Sequence, residues 1–169
     1  MNITIIGSGY VGTTAAGVLA LSGHNVIALD IDEEKVLIIN RGEAPFFEKG
    51  LDQVISSGIN SGRLKATTDY KEAVEKADLV FSCVGTPDKP DGSSDLQYVY
   101  KAAVTAAPCL KPGAIYIQKS TVPVGTGREV IKLLPENVPY VSNPEFLREG
   151  TAIYDTLLFD RVVAGGDEA

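Results

Sequence analysis

A chain of 169 residues that is 44% hydrophobic and 22% charged amounts to about one globular domain, long enough to bury a substantial core. Its net charge of −7 argues against a nucleic-acid partner, because readers of phosphate backbones carry a basic face. No apolar run approaches the roughly 20 residues of a membrane span, and the run 2–7 lacks the basic flank of a signal peptide, so no membrane partner and a cytoplasmic location are expected.

The first apolar run, 2–7, reads as a strand that passes directly into Gly7-Ser8-Gly9-Tyr10-Val11-Gly12 and an alanine-rich helix over 10–22. A second strand follows at 25–30, closed by Asp30, and then helices at 33–41 and 50–60. Beyond these the pattern predicts a strand at 64–67, a helix at 70–76 and a strand at 78–84. A proline- and glycine-rich loop over 85–95 interrupts it before a helix at 95–107. The remainder reads as strand 114–118, helix 125–134, strand 138–142 and a further strand at 161–165. β-branched runs alternating with helical segments predict an α/β fold, a Rossmann doubly wound parallel sheet in three α/β/α layers, as a single domain with strand order 3-2-1-4-5-6.

That topology puts every strand's carboxyl end on one edge, where ligands of open α/β sheets bind. The G-x-G-x-x-G run sits between a strand and a helix, the context that makes it a dinucleotide fingerprint. Gly7 permits the tight turn, Gly9 admits a pyrophosphate without a Cβ in the way, and Gly12 lets helix and strand pack closely. The helix opening at Tyr10 offers free N–H groups to phosphates. Asp30 is placed to accept from the adenosine ribose hydroxyls and would repel a 2′-phosphate, so NAD is expected rather than NADP. The competing structural reading makes the glycines ordinary turn residues and Asp30 or Asp32 the cap of the next helix.

Three further strand ends carry candidate chemistry. Thr86 follows Cys83-Val84-Gly85, where its hydroxyl reaches the cofactor or merely closes a turn before Pro87. Thr121 lies in Lys119-Ser120-Thr121-Val122-Pro123, held off the next helix by proline, and positions a substrate hydroxyl, a nicotinamide or a water, or else caps the helix. Asn143-Pro144-Glu145-Phe146-Leu147-Arg148-Glu149-Gly150 sets two carboxylates four residues apart, on one side if the turn is helical, and Glu145 there could serve as a base or orient water. Cys83 reads as a small core residue, and two cysteines with one histidine give no metal site.

In order and spacing, Gly7–Gly12, Gly42-Glu-Ala-Pro-Phe-Phe-Glu-Lys-Gly-Leu51, Cys83–Pro87, Lys119–Thr126 and Asn143–Gly150 resemble the amino-terminal NAD-binding domain of the UDP-glucose/GDP-mannose dehydrogenase family over nearly the whole chain. The resemblance implies oxidation of a nucleotide-sugar C6 alcohol to a carboxylate by two NAD molecules in succession, through a cysteine thioester. UDP-glucose is the foremost substrate, with GDP-mannose and UDP-N-acetylmannosamine as alternatives. It implies NAD contacts at Val11, Asp30, Lys35, Thr86, Thr121 and Glu149, and substrate contacts at Glu145, Phe146, Leu147, Arg148 and Glu149. Thr121 and Glu145 are the implied pair that positions the hydrolytic water.

Such enzymes keep the nucleophilic cysteine, a catalytic lysine and the rest of the sugar pocket in a later helix and a second domain. Neither Cys83 nor Cys109 matches that nucleophile. The chain is therefore expected to be the 1–169 fragment of a two-domain enzyme, homodimeric at full length, that binds NAD but cannot finish the oxidation alone. A stand-alone dinucleotide sensor is the reading from another class, and a sensor has no use for the Thr121 and Glu145 pair.

Overall fold

The computed structural model describes residues 1–166. Its strands are β1 (Asn2–Ile6), β2 (Asn25–Leu29), β3 (Leu64–Thr67), β4 (Leu79–Ser82), β5 (Ile115–Gln118) and β6 (Tyr140–Ser142). Its helices are α1 (Tyr10–Leu21), α2 (Glu33–Asn40), α3 (Leu51–Asn60), α4 (Tyr70–Val74), α5 (Gln97–Ala106), α6 (Thr126–Ile131) and α7 (Ala152–Leu157), with a 3-10 turn at Ala107–Cys109. The six strands form one sheet in the order β3-β2-β1-β4-β5-β6, and every pair is parallel.

Alternation along the strands builds two cores. Ile3 and Ile5 of β1 face one way, into a cluster with Ala15 and Ala16 of α1, Ile39 of α2 and Leu51 and Ile55 of α3. Ile6 faces the other way, with Leu29, Val80 and Tyr116, beneath Val99 and Ala103 of α5 and Val130 of α6. A parallel strand buried on both faces is apolar at most successive positions, and the one polar residue buried in β1, Thr4, donates its hydroxyl to the Ala73 carbonyl. The sheet is therefore a central layer between two helical ones, as expected from sequence. Among the described residues no helix is long and apolar enough to cross a membrane.

One expectation fails, and one condition left open by the sequence is not met. The run 161–165 is not a strand: only Gly165 bridges to Ser142, in antiparallel sense, and Val162 and Val163 stay exposed. β-branched residues favour a strand only where a neighbouring strand and a packing surface meet them. The segment 143–150 is not helical, so Glu145 and Glu149 are not stacked one turn apart. Pro144 holds Asn143 out of the helical region, and carboxylates rather than helical carbonyls take up the segment's N–H groups: Glu145 accepts from Leu147 N (2.5 Å), Asp155 from Arg148 N (3.1 Å) and Glu48 from Gly150 N (2.7 Å).

Candidate functional site

The parallel topology brings five segments to one edge: Gly7–Gly12 after β1, Asp30 after β2, Gly85–Thr86 after β4, Lys119–Thr121 after β5 and Asn143–Glu149 after β6. The sheet changes winding direction between β1 and β4, and crevices at such a switch point hold ligands.

Steric requirements separate the three glycines. Gly7 has φ +96°, and a Cβ there would also lie 2.9 Å from the Cys83 carbonyl oxygen. A Cβ on Gly12 would overlap the Gly7 carbonyl oxygen, so any larger residue pushes α1 off β1. Gly9 differs: a Cβ there would meet nothing within 4 Å, so folding does not demand its smallness. Gly9 opens onto free space at the start of α1, where no side chain caps the helix and its first N–H groups and positive dipole end stay available. That gap, walled by backbone donors, fits the pyrophosphate of a dinucleotide.

Asp30 completes the cradle. Its Oδ2 accepts from Ser8 N inside the glycine turn (2.5 Å) and its Oδ1 from Asp32 N (3.0 Å), leaving each oxygen a lone pair for a ribose hydroxyl. Capping of α2 falls to Asp32, which accepts from Glu34 N (3.0 Å) and Lys35 N (3.4 Å), so Asp30 is not a helix cap. Lys35 stands in the first turn of α2 and makes no ion pair among the described residues. Val11 is half-buried against the β1 core.

The β4 and β5 ends are tied together by hydroxyls. Thr86 Oγ donates to the Thr121 carbonyl (3.1 Å) and Ser120 Oγ to the Val84 carbonyl (2.6 Å). Neither Ser120 nor Thr121 caps a helix, because Gly125 is the N-cap of α6. Thr86 and Thr121 thus meet through the backbone. No hydrogen bond joins Thr121 to Glu145 among the described residues; Glu145 instead turns its carboxylate onto Leu147 N. Cys83 lies buried between β4 and α1, and burial pushes its thiol up to about 12.

The 143–150 limb borders a cavity of about 540 Å³, lined by Phe81, Lys119, Asn143, Glu145, Phe146, Leu147 and Arg148 together with Ala15 of α1 and the 158–162 segment. The glycine turn, Asp30 and Glu149 lie outside it. Phe146 receives the Arg161 guanidinium over its ring at 4.7 Å. The Arg148 guanidinium is not free: it makes a two-pronged contact with Asp155, Nη2 donating to Oδ1 at 2.6 Å and Nε to Oδ2 at 3.1 Å. That guanidinium, with further donors from Arg148 N and Thr151 Oγ, holds the Asp155 carboxyl at about 2.

Two features were not singled out from sequence. Lys119 Nζ donates to Asn143 Oδ1 (3.3 Å), and Asn143 Nδ2 to the Val163 carbonyl (2.8 Å), closing the β5 and β6 ends. Glu48, in the loop before α3, has its carboxylate buried and accepts from Tyr10 OH at 2.6 Å. Burial and this bond push the Tyr10 phenol up to about 12, and the same bond, with backbone N–H groups, holds Glu48 below the usual carboxylate range. The signal lay in Pro45-Phe46-Phe47: Phe46 packs on Tyr10, with ring centroids 5.3 Å apart, Phe47 points outward, and Glu48, two residues past Phe46, turns back in beside Tyr10.

A glycine turn at a parallel switch point, an uncapped helix and a strand-end acid define a Rossmann domain of the NAD-dependent dehydrogenase class. The sequence matches, over residues 1–169, the family described as UDP-glucose/GDP-mannose dehydrogenase family, NAD binding domain, and the chain belongs to that family. It is 48% identical to the UDP-glucose 6-dehydrogenase of Rhizobium meliloti, covering 99% of this chain and 40% of that protein. With the UDP-glucose 6-dehydrogenase of Bacillus subtilis it shares 42% identity over 98% of this chain and 39% of that protein. Among solved structures, a ternary complex of Pseudomonas aeruginosa GDP-mannose dehydrogenase superposes with a TM-score of 0.96 at 37% identity, over 99% of this chain and 41% of that one. The chain thus spans about two fifths of the length of these relatives.

Proposed function

We propose that this chain is the cofactor-binding part of a longer NAD-dependent dehydrogenase that oxidises UDP-glucose to UDP-glucuronate. The observation that carries the reading is the edge itself. A dinucleotide cradle at Gly7–Gly12 and Asp30 shares one sheet edge with the Thr86 and Thr121 pair and with the carboxylate-bearing limb after β6. In this reading the cradle and α1 hold NAD, with Lys35, Thr86, Thr121 and Glu149 as further contacts. Bound NAD supplies the hydride acceptor. Residues 145–149 bind the nucleotide sugar, and Thr121 with Glu145 positions the water that releases the acid.

For that role Glu145 must leave Leu147 N, which now holds its Oε2 at 2.5 Å. A carboxylate that exchanges a local backbone donor for a water is poised as a base without a fixed cation to quench it. UDP-glucose is put forward as the substrate because UDP-glucose 6-dehydrogenases stand among the curated relatives at 48% and 42% identity. The reading is tested by NADH formation by the full-length protein with UDP-glucose, GDP-mannose and UDP-N-acetylmannosamine. UDP-glucose should turn over fastest, and Glu145→Gln should lower kcat by about a hundredfold or more. Unchanged turnover in Glu145→Gln would remove the catalytic assignment, and no turnover of any nucleotide sugar would remove the reaction.

A further inference from the structure

Glu48 has 4% of its surface exposed, and no cation pairs with it among the described residues. An isolated buried carboxylate is costly, so its donors matter. There are three: Tyr10 OH at 2.6 Å and Gly150 N at 2.7 Å on Oε2, and Ala152 N at 3.2 Å on Oε1. One donor is the residue that opens the dinucleotide helix. The other two lie just past Glu149, 102 and 104 residues along the chain from Glu48. Tyr10 OH is also 3.2 Å from the Arg148 carbonyl, so the helix start reaches the limb by two routes.

We propose that Glu48 is a positioning residue that makes the start of α1 and the limb from Asn143 to Ala152 open and close as one unit. The inference rests on the reading that this edge holds NAD beside a nucleotide sugar. It adds that cofactor bound on α1 sets the limb that carries Glu145 and Glu149. A ligand that stabilises one part of a cooperative unit makes every part of that unit harder to open. A carboxylate that only plugs a core would instead stabilise the limb equally with and without ligand.

Amide hydrogen exchange of the chain, with and without NAD, separates these cases. In the parent, NAD should slow exchange at Gly150 and Ala152 by about tenfold or more, although both N–H groups point at Glu48. Each variant is compared at the same fractional occupancy by NAD. In Glu48→Ala, and in Tyr10→Phe, which keeps the carboxylate and its two amides, that slowing should shrink to less than about twofold. Glu48→Gln, with one acceptor oxygen left, should keep the slowing at one of the two amides and lose it at the other.

Full NAD-dependent slowing in both Glu48→Ala and Tyr10→Phe would overturn the inference. So would a parent that binds NAD without slowing Gly150 and Ala152, and the functional reading would then survive. A parent that binds no NAD would instead overturn the functional reading, and the inference with it.

Discussion

The two halves of the strand edge are built by different means. At Gly7–Asp30 the backbone does the work: a positive φ, a helix pressed on a strand so closely that Gly12 has no room for a Cβ, and an acid held by two N–H groups. At Tyr140–Leu157 the chain has a three-residue strand and a six-residue helix, and three carboxylates, Glu48, Glu145 and Asp155, gather the N–H groups between them. Tyr154, Leu158, Phe159 and Val162 remain exposed there. The first half is rigid because local geometry leaves it no alternative. The second is held by charge-assisted bonds, those of Asp155 local and those of Glu48 reaching across the chain, and such bonds yield to pH and to single substitutions.

The largest expected effect breaks the first half. Gly12→Ala must displace α1 from the Gly7 carbonyl, which should cost about 3 kcal/mol or more of stability and abolish NAD binding. Gly9→Ala is its control, because nothing lies within 4 Å of the new Cβ. Its melting temperature should stay within about 2 °C of the parent while NAD binding weakens about tenfold or more, read by thermal unfolding and calorimetry. A marked loss of stability in Gly9→Ala would mean that the turn, and not the ligand, demands that glycine.

Acid should sharpen the contrast. Asp155 sits at about 2, below its ordinary value of 3.8, so the folded limb prefers the carboxylate. Its contribution is fully present above the ordinary value and is lost as pH falls through the folded one. The protection of Arg148 N, its exchange relative to the intrinsic rate at each pH, should therefore fall between about pH 4 and pH 2 while the β1 and β2 amides stay protected. Asp155→Asn should remove that pH dependence.

Much of this contrast was written in the chain, and unevenly. The glycine turn, Asp30 and the ends of β4 and β5 are local patterns, in which spacing alone dictates backbone conformation. The limb is another matter. Glu145 and Glu149 would share one side only in a helical turn, and Pro144 and side-chain acceptors draw the segment out. Ala152–Leu157 is a helix too short, and without a side-chain cap, to announce itself. Glu48 sits in an irregular loop, and the donors that bury it lie 38, 102 and 104 residues away, at distances where periodicity carries no information. The run 161–165 had the composition of a strand and lacked a partner beyond one bridge.

The smallest effect expected concerns the thiols. A disulfide-exchange reagent at neutral pH should label half-buried Cys109 and leave Cys83 unmodified in the folded chain, because burial holds the Cys83 thiol at about 12. Rapid labelling of Cys83 would mean that the β4 end opens far more readily than its packing implies.

The central claim is that Asp30, held by the glycine turn, makes this edge a site for NAD. Calorimetric titration of the chain with NAD and with NADP tests it most directly. NAD should bind at least about tenfold more tightly than NADP, a difference of about 1.4 kcal/mol, and Asp30→Ala should narrow that gap. Equal affinity for the two cofactors, or a gap that Asp30→Ala leaves untouched, would contradict it.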